Sequence, residues 1–148
     1  MDAVIKAVCI SEEKGTVKKP IQKGKLIENF GLESDSHAGK WHRQLSLLDN
    51  SSIDKMRGEG LELDVGDFAE NITTDGLDNL FELPVGTKLK INEDILLEIT
   101  QIGKKCHHDC EIMLTIGDCV MPREGVFARV LQGGEIKAGD KIEIITDY

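Results

Sequence analysis

Three of the four cysteines in this chain fall within one segment, Gly103–Cys119, which reads GKKCHHDCEIMLTIGDC. Cys106 and Cys110 are four residues apart, a spacing that places two side chains on one face of the segment. Lysines and histidines flank them, and neighbouring positive charges favour the thiolate, the form that attacks sulfur or binds a soft metal. Asp109 and Asp118 act in the opposite direction. The segment is therefore a candidate for sulfur or metal chemistry.

Three interpretations of this segment stay open on residue types and spacing alone. The Cys and His side chains are numerous enough for a tetrahedral zinc site, although C-x3-C-x8-C lacks the paired C-x2-C of common zinc modules. A thiol here could instead react with sulfur or ligate a metal cofactor. The third interpretation is that these are ordinary reduced cysteines, some buried as small hydrophobic residues. Cys9, inside an apolar run, is interpreted as part of the core.

A second cluster lies in the polar, turn-rich stretch Gly31–Trp41 and just after it. His37, His42, Arg43 and the adjacent Trp41 could form an anion-binding wall, in which the planar guanidinium fork suits a phosphate. The two histidines are five residues apart, which matches no standard metal-ligand spacing. The alternative is a solvated surface loop.

A third segment, residues 121–140, contains Arg123 after a proline, Arg129 and several glycines. It has neither the G-x4-G-K-[ST] pattern of a phosphate-binding loop nor the G-x-G-x-x-G pattern of a dinucleotide-binding turn. The glycines are explained by tight turns, and close approach of the backbone to a ligand is the functional alternative.

Short strands at regular spacing must position these clusters. Residues 49–60 have the pattern of a short helix, with Asn50 or Ser51 as its cap and Gly58 in a left-handed position at its end. One domain of 148 residues is expected, mainly β, as an antiparallel barrel or folded sheet with one or two short helices. The predicted strands are Ala3–Ile10, Gln44–Leu48, a hairpin over Thr87–Ile102 that turns at residues 92–94, Val126–Leu131 and Lys141–Ile145.

Composition excludes several classes of function. The 18 basic and 27 acidic residues give a net charge of −9, and aromatic residues make up 4% of the chain, so nucleic acid is not an expected partner. No apolar run approaches the length of a membrane span, and no basic segment precedes an apolar one at the start. We therefore expect a cytoplasmic protein without a membrane partner, whose cysteines are reduced.

Taken together, the segments resemble the MOSC domain, the module named for the C-terminal region of molybdenum cofactor sulfurases, in its short stand-alone bacterial form. The resemblance extends from Val17 to Ile145 and covers most of the chain. It is carried by GLESDSHAGKWHRQLSLL (31–48), GDFAENITTDGL (66–77), LPVGTKLKI (83–91), ITQIGKKCHHDC (99–110) and GDCVMPREGVFARVLQGGEIKAGDKI (117–142).

The resemblance implies a barrel-like fold and a role around the molybdenum cofactor. One cysteine would accept sulfur as a persulfide or ligate molybdenum. Cys110 best matches the cysteine that opens this region in sulfurases and amidoxime-reducing relatives, and Cys119 best matches a metal-ligating cysteine. Cys106 could be a third thiol. The candidate cofactor-binding residues are His37, His42, Arg43, Arg123 and Arg129.

The same resemblance implies partners. Sulfur would come from a cysteine desulfurase or another donor and pass to molybdenum-cofactor biosynthesis proteins or molybdoenzymes. Pyridoxal phosphate is not expected, since the chain has no recognisable Schiff-base lysine segment and no room for a second domain. Two alternative functions are a molybdenum-dependent reductase of N-hydroxylated substrates with a separate electron donor, and a non-catalytic zinc-binding β-barrel.

Overall fold

A closed β-barrel dominates the computed structural model, as expected from the spacing of the strands. The structure describes residues 3–11, 18–36, 38–58, 65–66, 68, 70–77, 80–103 and 124–145. Within these ranges, eleven strands, one α-helix and a short 3-10 turn at Leu80–Glu82 are formed. The strands are β1 Ala3–Ile10, β2 Lys19–Ile21, β3 Lys23–Ile27, β4 Gly31–Leu32, β5 Leu45–Asp49, β6 Ile72–Asp75, β7 Lys88–Ile91, β8 Ile95–Ile102, β9 Val126–Gln132, β10 Gly134–Lys137 and β11 Lys141–Ile145.

Seven strands close the barrel in the order β1-β11-β7-β8-β9-β5-β6, and β6 then returns to β1. β2 adds to β1 outside the ring, and β10, β3 and β4 form a second, three-stranded sheet. Closure leaves no open edge in the ring, which removes a site for unwanted strand pairing. The predicted mainly β, barrel-like fold class is confirmed.

One strand pair in the ring departs from the antiparallel pattern. β5 and β6 run parallel, with Leu47 opposite Ile72. A parallel pair needs a crossover connection rather than a tight turn, and the helix α1, Asn50–Arg57, lies within this connection. The barrel is therefore mixed, and the predicted short helix is present.

The end groups of α1 differ from the sequence-based expectation. Asp49, one residue before the expected cap, accepts hydrogen bonds from the backbone N–H and the hydroxyl of Ser51. Its other carboxylate oxygen binds Thr74 Oγ1 and the N–H of Leu77, so the cap also ties the helix to β6. Gly58 donates its N–H to the carbonyl of Asp54 and does not adopt a positive φ. The expected left-handed conformation of Gly58 is therefore wrong.

Alternating apolar residues of the ring strands fill the barrel. Leu89 and Ile91 of β7 and Leu97 and Ile99 of β8 are fully buried, as the alternation in the predicted hairpin requires. Cys9 is also fully buried, in agreement with its interpretation as a core residue.

Five strands were not expected from the sequence: β2, β3, β4, β6 and β10. They are short, and β2 contains Pro20. In β3, Gly24 packs where a Cβ would lie 2.7 Å from Leu32 Cδ1 and 3.0 Å from Val8 Cγ1. Such strands form by pairing with neighbouring strands, as β2 does with β1 and β3 with β10, and local periodicity does not report such pairing.

No helix in the described ranges is long and apolar enough to cross a membrane.

Candidate functional site

The polar loop between β4 and β5 is fixed at its start by a buried ion pair. Lys18 Nζ lies 2.7 Å from Asp35 Oδ1 and also donates to Ser11 Oγ. The N–H of Ser11 donates to the same Asp35 oxygen at 3.0 Å. Burial alone would raise the pKa of Asp35, but the hydrogen bond and charge of Lys18, with the Ser11 N–H, hold it below its ordinary value. Asp35 therefore anchors the loop to the end of β1.

Farther along the loop, an arginine lies between two aromatic rings. The guanidinium carbon of Arg43 is 4.7 Å from the Trp41 ring centroid and 5.7 Å from that of Phe127. Its Nε is buried and, among the described residues, has no hydrogen-bond partner. His42 meets Trp41 edge-on, with ring centroids 5.8 Å apart. Arg43 thus acts on the orientation of Trp41 through a cation–π contact.

A cleft of about 310 Å³ opens beside this aromatic group. The side chains that line it include an ammonium, an imidazole, an indole, a carboxylate and a guanidinium group. Arg43 does not line the cleft. Lys40 and His42 are exposed at its surface. The lining residues are Asn29, Lys40, Trp41, His42, Glu98, Thr100 and Arg129.

Arg129 lines the cleft but does not present an unengaged cation. Its Nε and Nη2 both lie 2.7 Å from Glu98 Oε1, across the directly paired positions of β8 and β9. The Glu98 side chain is 22% exposed and that of Arg129 47%. The free positive charge in the cleft is therefore that of Lys40, which makes no ion pair within the described residues.

A β-bulge in β8 brings the loop and the barrel together. Ile99 pairs with Ala128 and Gln101 pairs with Phe127, so Thr100 is the extra residue. Its hydroxyl donates to the carbonyl oxygens of His42 and Phe127. Bulges commonly redirect side chains next to functional sites, and here the bulge directs Thr100 to the loop.

The residue after the bulge links the loop to the end of β8. His42 Nε2 and Gln101 Oε1 are 2.8 Å apart, and Gln101 Nε2 donates to the carbonyl of Gly103 at 2.7 Å. Gly103 is the last described residue before residues 104–123, the segment that contains Cys106, Cys110 and Cys119. Gln101 thus connects the cleft residue His42 to Gly103 through two hydrogen bonds.

The described residues that flank this segment, Gly103 and Gly125, meet at one end of the barrel. The N–H of Gly103 donates to the carbonyl of Gly125 at 2.7 Å. Glu124 accepts hydrogen bonds from Ser52 Oγ at 2.6 Å and from Lys55 Nζ at 2.9 Å. Gly103 and Gly125 therefore lie next to each other at this end of the barrel, and Glu124 connects it to α1.

The predicted site residues are only partly within the described ranges. The structure brings His42 and Arg129 to the cleft and places Arg43 behind Trp41. The roles predicted for the remaining residues stay predictions, since these lie outside the described residues: Cys106, Cys110, Cys119, His37 and Arg123. Within the described ranges, no group of three or more His, Cys, Asp or Glu side chains could hold a metal ion.

Sequence reasoning missed several lining residues of the cleft. Lys40 stands beside Trp41 and His42, which the sequence did indicate, so the polar loop could have indicated Lys40 as well. Glu98 and Thr100 lie in a strand with regular alternation and carry no local signal for a site. Their role depends on which strand pairs with β8 and on the bulge.

A buried carboxyl group lies near the base of the polar loop. Glu70 Oε2 accepts hydrogen bonds from Thr73 Oγ1 at 2.7 Å and the N–H of Gly66 at 3.0 Å. Its Oε1 is buried without a partner among the described residues. Burial raises the pKa of Glu70 above its ordinary value.

Comparison with solved structures confirms the architecture. The YUAD protein from Bacillus subtilis superposes with a TM-score of 0.81 at 18% identity, covering 97% of this chain and 96% of that one. YiiM from Geobacillus stearothermophilus gives 0.72 at 18% identity, covering 97% and 75%. YiiM from Escherichia coli gives 0.66 at 17% identity, covering 98% and 71%. At these identities the likeness shows the fold alone.

Sequence comparison identifies the family. A search of curated protein sequences returned no match. The family model of the MOSC domain, in contrast, matches residues 34–143, well over half of the chain. The match includes the polar loop, the cleft residues on β8 and β9 and the cysteine-bearing segment. The chain therefore belongs to the MOSC-domain family.

Proposed function

We propose that this MOSC-family protein acts in molybdenum-cofactor chemistry, with a cysteine of residues 104–123 as the sulfur acceptor or the molybdenum ligand. The observation that carries the proposal is the 2.8 Å hydrogen bond between His42 Nε2 and Gln101 Oε1. It connects the loop that lines the cleft to the strand end before the cysteine-bearing segment. Binding groups and thiols would therefore act on one ligand.

The cleft residues suit the anionic, flat pterin part of the cofactor. Lys40 supplies positive charge, and Trp41 supplies an aromatic wall. A local positive charge attracts an anion in spite of the net charge of −9, because at physiological salt charges beyond about 8 Å are largely screened. When bound, the cofactor supplies the redox-active metal, while the protein supplies position and a thiolate.

The sulfur step needs one nucleophilic cysteine. Its thiolate attacks the terminal sulfur of a donor persulfide, such as that of a cysteine desulfurase. One S–S bond forms on the accepting cysteine as the S–S bond of the donor breaks, and the donor leaves as a thiolate. The electrons balance without an added oxidant or reductant. Cys110 and Cys119 are the first candidates, and Cys106 is the third.

Mass spectrometry of the full-length protein tests the sulfur step. After incubation with a cysteine desulfurase and free cysteine, we expect a reductant-reversible gain of one sulfur, roughly 32 Da. Single Cys→Ser variants at 106, 110 and 119 identify the acceptor, and Cys9→Ala is the matched control because Cys9 is fully buried. An adduct that persists when Cys106, Cys110 and Cys119 are all replaced would contradict the proposal.

Elemental and pterin analysis tests the cofactor-binding alternative. Protein purified from a molybdenum-replete host is expected to contain molybdenum and pterin in equal amounts, with both reduced in Lys40→Met. Stoichiometric zinc without pterin, together with a melting temperature that falls on chelation, would instead establish a structural zinc barrel. Absence of both the adduct and the cofactor overturns the proposed function.

A further inference from the structure

The carboxylate of Glu98 has one engaged oxygen and one open oxygen. Arg129 places both its Nε and its Nη2 at 2.7 Å from Oε1. Within the described part of the chain, Oε2 accepts no hydrogen bond, and the side chain is 22% exposed in the wall of the cleft. Arg129 therefore orients a carboxylate whose second oxygen is available to a ligand.

An indole forms another wall of the same cleft. Trp41 lines it, whereas Arg43, which lies over the indole ring at 4.7 Å, does not. The cation–π contact therefore comes from behind and holds the indole in place. A flat ring can pack against such a wall while N–H groups at its edge donate to a carboxylate, since hydrogen bonds to a charged acceptor are the stronger ones.

We propose that Glu98 determines ligand specificity in this cleft by accepting N–H donors from the 2-amino-4-oxo edge of a bicyclic heterocycle packed near Trp41. The inference rests on the proposed function and adds to it the part of the ligand that is recognised. A pterin and a guanine share this edge. Lys40 would bind an anionic group carried by either ligand.

Titration of the full-length protein with matched ligand pairs tests the inference. Trp41 is the single tryptophan, so quenching of its emission reports binding, and calorimetry gives the constants independently of the indole. Pterin is compared with lumazine, and guanosine monophosphate with inosine monophosphate, because the second member of each pair lacks the 2-amino donor. We expect the first member to bind at least about tenfold more tightly. The tighter of the two preferred ligands identifies the source of the heterocycle.

The Glu98→Gln variant sharpens the test. Its carbonyl oxygen replaces Oε1 at Arg129, so its amide nitrogen faces the cleft and opposes the 2-amino group. Pterin affinity should fall about tenfold or more, and the preference should move toward the 2-oxo ring of lumazine. Glu135→Gln is the matched control, because that side chain is 67% exposed and lies 3.8 Å from Lys23.

Three results would overturn the inference: no binding of either preferred ligand, equal affinity within each pair, or an unchanged preference in a folded Glu98→Gln protein. Each can occur while the sulfur adduct or bound molybdenum is still detected, in which case the proposed function stands without this role of Glu98. Selective pterin binding without an adduct or molybdenum would instead support this role of Glu98 and contradict the proposed function.

Discussion

Lys18 Nζ lies 2.7 Å from Asp35 Oδ1, and neither side chain is exposed to solvent. The pair joins the segment before β2 to the polar loop that continues to Trp41 and His42. A buried ion pair is weak evidence for stability, but loss of one partner leaves an uncompensated buried charge. The pair therefore makes the position of the loop sensitive to a single residue.

We expect Lys18→Met to lower the free energy of unfolding by about 3–5 kcal/mol, because it leaves the Asp35 carboxylate buried without its cation. Urea denaturation measures the change. The double variant Lys18→Met/Asp35→Asn should recover part of the loss, since it also removes the charge. Lys23→Met is the control, as this exposed lysine lies 3.8 Å from Glu135 and should cost less than about 1 kcal/mol. Equal losses in Lys18→Met and Lys23→Met would contradict the prediction.

Glu70 predicts a pH dependence of stability. Because burial raises its pKa above the ordinary 4.5, the unfolded chain loses this proton first as the pH rises. The free energy of unfolding should therefore fall from pH 4.5 upward, until the pH passes the raised pKa. Glu70→Gln should remove this decline, as measured by urea midpoints over that range.

The other two carboxyl groups with altered pKa act in a different window. Hydrogen bonds and neighbouring lysines outweigh burial and lower the pKa of Asp35 and Asp140 below the ordinary 3.8. The contribution of Asp35 and Asp140 to stability is complete above pH 3.8 and is lost as the pH falls through the lowered pKa values.

The control for the Glu70→Gln prediction is Glu82→Gln, because Glu82 is exposed on the 3-10 turn. Parallel declines in wild type and Glu70→Gln would show that another group is responsible.

Gly31 holds the start of the polar loop against β5. Its φ is +122°, and a Cβ there would lie 2.4 Å from the carbonyl oxygen of Gln44. Gly139 also has a positive φ, +96°, but a Cβ there would contact nothing within 4 Å. We expect Gly139→Ala to cost about 1–2 kcal/mol from backbone strain alone, and Gly31→Ala about 1–3 kcal/mol more because of the clash. Thermal melts of the two variants provide the comparison, and equal shifts would exclude the clash as a cause.

Arg43 predicts a spectroscopic change at Trp41. Removal of the guanidinium in Arg43→Ala takes away the group that covers the indole ring at 4.7 Å. The emission of this single tryptophan should then shift to longer wavelength as water approaches the ring, with a loss of about 0.5–2 kcal/mol of stability. Arg57→Ala is the control, since Arg57 pairs with Asp54 on α1. An unchanged emission maximum in folded Arg43→Ala would contradict the role of Arg43 in holding Trp41.

The sequence by itself was sufficient to predict those elements in which the local pattern of apolar residues agrees with their burial in the fold. The apolar run of β1, the alternating hairpin of β7 and β8, the helix α1 and the buried Cys9 were all predicted within a few residues. The family could also be recognised, because its motifs are short stretches of contiguous residues. Each of these features depends mainly on neighbours in the chain, whose side-chain periodicity is visible in the sequence.

Only the tertiary structure decided the parallel pairing of β5 and β6, the five short strands that the sequence did not indicate, and the composition of the cleft. Glu98 and Arg129 are paired across β8 and β9, and His42 reaches Gln101, so each contact spans a long stretch of chain. Such contacts depend on barrel closure and on the bulge at Thr100, which local propensity does not encode. The acceptor role of Glu98 and the support of Trp41 by Arg43 follow from that geometry.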